Sequence, residues 1–189
     1  IAQFHLKVTD ENRVRGLSMM INSSAESDVF LVFCERRTDV DRLMRRLERE
    51  RFSVKALHGG YDQASRFRVV TAFRTGDVKV LLATDVASRG LDVKHVTHVV
   101  NFGVPRDIAD YTHRIGRTAR AGAIGTAVTF LAAADLGSFK TLTYHIGRDL
   151  ERIHLPDFDY AGTPQAVTSI SPTRGRHSRS PCLLYPSPS

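Results

Sequence analysis

Six short apolar segments alternate with amphipathic helical patterns along the chain, and this alternation constrains the fold more than any other feature. One segment, residues 29–34, is apolar throughout, as expected for a strand buried on both faces, and residues 78–83 are apolar apart from Lys79. Strands that alternate with helices through short connections require a mostly parallel sheet with helices on both faces. The expected strands are residues 4–8, 29–34, 54–57, 78–83, 96–102 and 126–131, and the expected helices are residues 14–21, 40–47, 63–74, 108–115 and 136–146.

Two details of the helices are also predicted. The first helix is expected to take its N-terminal cap from Thr9 or Asp10. The third helix is expected to turn Phe67, Val70 and Phe73 inward.

Length and composition exclude several other classes. The 189 residues hold one ordinary domain, and no apolar run approaches the about 18 residues that a membrane-spanning helix requires. Two cysteines, Cys34 and Cys182, form neither a disulfide framework nor a zinc site, which favours a reducing compartment. We therefore expect a cytoplasmic protein, or a nuclear or nucleolar one in a eukaryote. Ile1 replaces an initiator Met and no signal peptide follows, so we expect the chain to be cut from a longer protein.

The last part of the chain differs from the rest in composition. Three arginines and no acid follow Tyr160, so three of the seven net positive charges come from there and residues 1–160 carry only a mild excess. Residues 161–189 are rich in Ser, Thr, Pro and Gly, which predicts a disordered basic tail. Residues 181–189 resemble translated vector sequence, and we expect them to be non-native.

A glycine-rich turn follows the strand at residues 54–57. Gly59 and Gly60 allow a ligand to approach the backbone, and the next helix opens with Gln63 and Arg66 on one face. These residues can bracket a phosphate at the free amides of a helix start. The same sequence is also compatible with an ordinary turn.

A second polar cluster follows the strand at residues 78–83. Residues 83–92 contain a Thr hydroxyl, two carboxylates, an Arg and a Gly at the carboxyl end of a strand, where parallel sheets bind ligands. They predict either a site for a phosphorylated ligand or a polar loop with an Asp helix cap.

The most specific pattern lies in residues 111–122, where Arg114, Arg117 and Arg120 recur every three residues after His113. On a helical turn these cations would crowd together, which is unfavourable unless an anion neutralises them. Guanidinium forks match phosphate oxygens, so the pattern favours a triphosphate partner over a solvated basic helix face.

Taken together, these motifs resemble the second RecA-like domain of a DEAD-box ATP-dependent RNA helicase. The resemblance covers residues 1–160 and depends most on His-Arg-Ile-Gly-Arg-Thr at 113–118. Gly60 and Ala119 depart from the residues common in the family, Asp and Gly. The implied fold is a three-layer α/β RecA-like domain.

The resemblance implies a role for each matching position. Arg117 and Arg120 would be arginine fingers, with His113 as a further catalytic residue. Asp85 would hold the ribose, and Gly90 would lie with the nucleotide contacts. Arg89, Asp92 and Arg114 would couple the two domains. The RNA backbone would be gripped by Gly59, Gln63, Arg66 and Thr84, with little sequence preference.

No phosphate loop or Asp-Glu-Ala-Asp motif occurs in the chain. The resemblance places both on a missing N-terminal domain, which would bind ATP with Mg²⁺, so no metal site is expected here. ATP and single-stranded RNA would close the two domains, and this chain alone is predicted to be inactive.

Two alternatives stay open: a DNA-directed translocase of the same superfamily, and a non-catalytic RNA- or protein-binding module. A dinucleotide enzyme is disfavoured because no Gly-x-Gly-x-x-Gly follows a strand.

Overall fold

The computed structural model describes residues 1–91, 93–119 and 124–161. The strands are β1 (Ala2–Lys7), β2 (Phe30–Phe33), β3 (Val54–Leu57), β4 (Val80–Ala83), β5 (His98–Asn101), β6 (Thr126–Leu131) and β7 (Glu151–Arg152). The helices are α1 (Arg13–Ser23), α2 (Arg37–Arg49), α3 (Gln63–Thr75), α4 (Asp85–Ser88), α5 (Ile108–Ile115) and α6 (Leu136–Ile146). One turn of 3₁₀ helix, Ala133–Asp135, leads into α6.

All seven strands form one sheet in the order β3-β4-β2-β5-β6-β1-β7, and every pairing is parallel. The pairing of Phe33 with both Ala83 and Asn101 brings the carboxyl ends of three strands into line. The α/β prediction is therefore confirmed, and the sheet is entirely parallel in the described chain.

The alternation of side chains along β2 shows how the layers form. Phe30 and Val32 pack with α1, α2 and the segment after β7, whereas Leu31 and Phe33 pack with α3 and α4 on the opposite face. A third cluster holds α5 and α6 against Ala127 of β6. Because both faces of the sheet are covered, β2 and β4 have no polar side and their sequences are continuously apolar.

Helix ends follow local sequence signals. Asp62 accepts a hydrogen bond from the Ser65 backbone amide at 2.7 Å and so caps α3, which ends at Gly76 in a left-handed conformation. The predicted cap of α1 is wrong, because Asn12 occupies that position. Instead, Thr9 and Asn12 bond each other's backbone amides, which stabilises the turn before the helix.

The predicted inward face of α3 is wrong at one position. Phe73 is fully buried and Val70 is half-buried, but Phe67 is 70% exposed. At 3.6 residues per turn, side chains six residues apart point about 120° away from each other, so both phenylalanines cannot face the core.

Three elements were not predicted from the sequence: α4, the 3₁₀ turn and β7. Each is four residues or shorter, too short to show a periodic pattern. The tail predicted over residues 161–189 lies outside the described residues apart from Ala161. Within the described part of the chain, no helix combines the length and apolar character needed to cross a membrane.

Candidate nucleotide and nucleic-acid site

Neighbouring strand ends bring the predicted site residues to one edge of the sheet. The Thr84 amide donates to the Leu57 carbonyl at 3.3 Å, and the Cys34 amide donates to the Ala83 carbonyl at 2.9 Å. The His58-Gly59 turn therefore lies beside Thr84 and Asp85. Thr84 itself is buried, whereas Gly59 is exposed.

The turn after β3 is held from both sides. His58 Nε2 lies 3.0 Å from Asp41 Oδ1 on α2, and His58 Nδ1 lies 3.1 Å from the Gly60 backbone nitrogen, which donates to it. A Cβ atom on Gly59 would lie 2.7 Å from Nη2 of Arg37, so the guanidinium rests directly against this glycine. A side chain at position 59 would displace it.

The first turn of α3 is tied to the segment after α4. Arg66 Nη2 donates to the Arg89 carbonyl at 3.1 Å, so the helix start and the turn at Arg89 are held together. Gln63, Arg89 and Gly90 are exposed. Gly90 has a φ of 77°, a left-handed conformation that glycine adopts without steric cost. Asp92 lies outside the described residues.

An ion pair lies at the centre of the site. Arg114 donates to Asp85 through Nε at 2.7 Å and Nη2 at 2.6 Å, and to Asn101 Oδ1 through Nη1 at 3.2 Å. Its guanidinium carbon also lies 5.2 Å from the centre of the Phe33 ring. The Arg114 side chain is only 6% exposed, against 30% for Asp85, so the arginine is fixed while the carboxylate remains partly accessible.

The expected clustering of arginines on one helical turn is wrong for the described residues. Helix α5 ends at Ile115, so Arg117 follows the helix, and the buried Arg114 points to Asp85. His113 is exposed, and Arg117 is half-buried with Nη1 donating to the Leu91 carbonyl at 2.8 Å. Arg120 lies outside the described residues.

Comparison with known proteins identifies the family of the chain. The helicase conserved C-terminal domain family matches residues 12–122 of the chain. The chain is 37% identical over 161 residues to the DEAD-box ATP-dependent RNA helicase CshA of Geobacillus kaustophilus, a match that covers 85% of the chain and 34% of the relative. The chain belongs to the C-terminal helicase domain of DEAD-box RNA helicases.

Solved structures show the same fold. The E. coli DEAD-box protein SrmB, bound to the regulator RraA, superposes with a TM-score of 0.76 and 33% identity over 82% of this chain and 91% of that one. S. cerevisiae Dbp5, bound to RNA and ADP BeF3, gives 0.77 and 28% over 86% of this chain and 44% of that one. The chain spans about a third of the length of the curated relatives it matches.

The cleft of this helicase domain is open and small. A cavity of about 50 Å³ at the strand ends is lined by Phe33, Glu35, Asp85, Gly103, Val104, Arg106, Asp110 and Arg114. Pockets that enclose a small-molecule ligand are typically several times larger, about 300 Å³ or more. This cavity, as formed by the described residues, is therefore too small to enclose such a ligand.

Sequence reasoning missed three arginines that shape this edge. Arg37 covers Gly59, and Arg106 pairs with Glu35 beside the cavity. Arg13 donates to the Phe102 carbonyl at 2.9 Å and bonds both Asp10 and Asp135, which joins the loops after β1, β5 and β6. None belongs to a motif. For Arg37 the sequence offers one signal, because Arg36 and Arg37 come three and four residues after the end of β2, whereas the other two arginines are revealed by the folded contacts.

Proposed function

We propose that this chain is the second RecA-like domain of an ATP-dependent RNA helicase, in which it completes an ATP site held by a first domain and grips the RNA backbone. The observation that carries the proposal is the Asp85–Arg114 pair. It fixes the end of α5 against the strand ends, so that His113 is exposed and Arg117 follows directly after the helix.

The nucleotide contacts follow from this arrangement. Asp85 accepts two bonds from Arg114, and carboxylate oxygens have further lone pairs, so its exposed part could still accept a ribose hydroxyl. Arg117, with Arg120, would stabilise charge on the transferring phosphate, supported by His113. Gly90 would line the same wall. Arg89, Asp92 and Arg114 would transmit closure between the domains.

The open cleft fits ATP as a shared ligand. A cavity of about 50 Å³ cannot enclose a nucleotide, as expected if the phosphates and Mg²⁺ are held by the first domain. When bound, ATP supplies the phosphoanhydride bond whose hydrolysis drives the cycle. The residues of this chain contribute only positive charge and hydrogen bonds to that site.

The RNA contacts form a separate group at the β3 and β4 ends: Gly59, Gln63, Arg66 and Thr84. The group combines an exposed glycine backbone, a capped helix start and an arginine already held in place by the Arg89 carbonyl. Such groups bind phosphates and sugars, which predicts weak sequence preference and a strong dependence on salt. The solved complex of the similar protein Dbp5 contains RNA.

A domain chimera tests the proposal. The first domain of Geobacillus kaustophilus CshA is fused to this chain, and ATP hydrolysis is measured with and without single-stranded RNA. We expect the fusion to hydrolyse ATP when RNA is present and the chain alone to be inactive. Arg117→Ala should lower the rate by about 10³-fold, the lower end for an arginine finger. Arg42→Ala, on the exposed outer face of α2, is the matched control and should leave the rate unchanged.

Two outcomes would count against the proposal. Hydrolysis by the isolated chain would contradict the shared site, and a wild-type rate in the Arg117 variant would contradict the finger role. Equal stimulation by DNA and RNA would favour a DNA-directed translocase.

A further inference from the structure

Phe67 is an exposed aromatic side chain next to the proposed RNA contacts. It lies on α3, is 70% exposed, and follows Gln63 by one helical turn. Because helical side chains lean towards the N-terminus of their helix, the ring is directed towards the first turn, on the face that carries Gln63. An aromatic ring is therefore displayed beside the groups proposed to hold the RNA backbone.

The charge around Phe67 indicates what it can receive. Helix α3 contains three arginines and no acidic residue, and two of the arginines, Arg66 and Arg68, flank Phe67 directly. Both guanidinium groups are held in place, Arg66 by the Arg89 carbonyl at 3.1 Å and Arg68 by Ser65 Oγ at 2.9 Å. An exposed ring on a helix that carries arginines suits a polyanion with flat apolar groups, which describes a single-stranded nucleic acid.

Packing does not explain the position of this ring. Phe73 alone is fully buried on α3, and it packs under the helix with Val78 and Val96. Phe67 points away from that cluster, so the isolated domain gains little from it. The ring is free to serve a partner.

We propose that Phe67 is a stacking platform for a nucleobase of the bound single strand, adjacent to the backbone contacts at Gln63 and Arg66. The proposal rests on the RNA-binding role proposed above. Stacking uses the face of a base, which all bases share, so this contact adds affinity without sequence selectivity. It also requires the base to be unpaired, so it favours a single strand over a duplex.

The test compares an RNA that has bases with one that lacks them. The 189-residue chain is titrated into a labelled ten-nucleotide oligouridine and into the same backbone with abasic residues, at one low salt concentration, and Kd is measured by fluorescence anisotropy. We expect wild type to bind the abasic strand about tenfold more weakly. Phe67→Ala should lose about tenfold for oligouridine and nothing for the abasic strand.

Matched variants separate stacking from other roles. Phe67→Tyr should retain wild-type binding, whereas Phe67→Leu, which keeps the apolar surface without the ring, should behave like Phe67→Ala. Tyr144→Ala removes an aromatic side chain that is 83% exposed on α6, which packs with α5 over β6, and should leave both Kd values unchanged. Because Phe67 is exposed, the thermal midpoint of each Phe67 variant should stay within about 1 °C of wild type.

Three results would overturn the stacking role. The first is unchanged oligouridine binding by Phe67→Ala, and the second is an equal loss of binding to both strands. The third is wild-type oligouridine binding by Phe67→Leu, which would indicate that the position serves as an apolar docking site for a protein instead. Arg66→Ala separates this failure from failure of the proposed function. If Arg66→Ala weakens both strands while Phe67→Ala weakens neither, only the stacking role is wrong. If wild type binds neither strand, both proposals are wrong.

Discussion

The two edges of the sheet satisfy their buried polar groups in different ways. At the carboxyl edge, the Arg114 guanidinium joins the Asp85 carboxylate to Asn101. At the amino edge, neutral groups do this instead: the Thr118 hydroxyl donates to the Val96 carbonyl at 2.6 Å, and Thr97 Oγ1 lies 2.8 Å from His98 Nδ1. The carboxyl edge keeps a hydrogen-bonded ion pair, whereas the amino edge relies on neutral hydrogen bonds, with the Asp28 carboxylate 3.8 Å from His98 and outside hydrogen-bond range.

The difference indicates which edge is shaped by more than stability. Burying an ion pair carries a desolvation penalty that its attraction often fails to repay, whereas a neutral hydrogen bond carries a smaller one. A fold selected only for stability would use neutral groups at both edges. The retained charges at the carboxyl edge are consistent with the nucleotide role proposed for it.

The largest effect on the contrast between the two edges is expected from Arg114→Met, which removes the buried positive charge. The substitution leaves the Asp85 carboxylate and Asn101 Oδ1 without their donor. Loss of one partner of a fully buried pair costs about 3–5 kcal/mol, and an exposed pair is worth at most about 1 kcal/mol. Asp85 is 30% exposed, so we expect the free energy of unfolding in urea to fall by about 2 kcal/mol.

The matched control for this charge is Arg42→Met. Arg42 pairs with Asp39 at 3.3 Å, but its side chain is 79% exposed. It should change the free energy of unfolding by less than about 0.5 kcal/mol. Equal losses in the two variants would show that burial of the Arg114 pair has no energetic consequence.

The amino edge should respond less strongly. Thr118→Val keeps the side-chain shape and removes the hydroxyl, which leaves the Val96 carbonyl without this donor. Thr118 is 2% exposed, and we expect a loss of about 1 kcal/mol in the same urea experiment. Thr112→Val, on the exposed face of α5, should change stability by less than half as much. A loss as large as that of Arg114→Met would erase the contrast between the edges.

Much of the fold could be predicted from the sequence because its signals are local. The predicted bounds of β3, β6, α5 and α6 agree with the structure, since each element is apolar or periodic along its length. Phe67 shows the limit of that reasoning. Residues 67, 70 and 73 look like a helical stripe, but two successive steps of three residues drift around the helix, so Phe67 lies on a different face from the buried Phe73.

The candidate site was less predictable because its contacts are distant in sequence. Arg114 and Asp85 are 29 residues apart, and the motifs give each a role without the other. Arg37 lies at the start of α2, and Gly59 lies just after β3. The two residues are in contact only because the chain returns from α2 to the sheet and forms β3 beside it. Motifs pointed to the candidate residues, but the register of the parallel strands decided which of them meet.

The smallest expected effect is a pH dependence of stability that arises at the amino edge. Burial lowers the pKa of His98 below its ordinary value of 6.5. The Asp28 carboxylate, 3.8 Å away, acts in the opposite direction and raises that pKa, but burial has the larger effect. The unfolded chain therefore takes up protons before the folded chain as pH falls below that value, and the free energy of unfolding decreases. Thermal midpoints at pH 7.5 and 5.5 should show lower stability at pH 5.5.

His98→Gln keeps a polar group near Thr97 and removes the titration, so the difference between the two pH values should shrink. A remainder is expected from His5, whose pKa is also lowered by burial. An unchanged difference in the His98 variant would assign the acid sensitivity elsewhere. A reduced one would show that the buried His98 of the amino edge, whose pKa is lowered by burial, causes part of the loss of stability in acid.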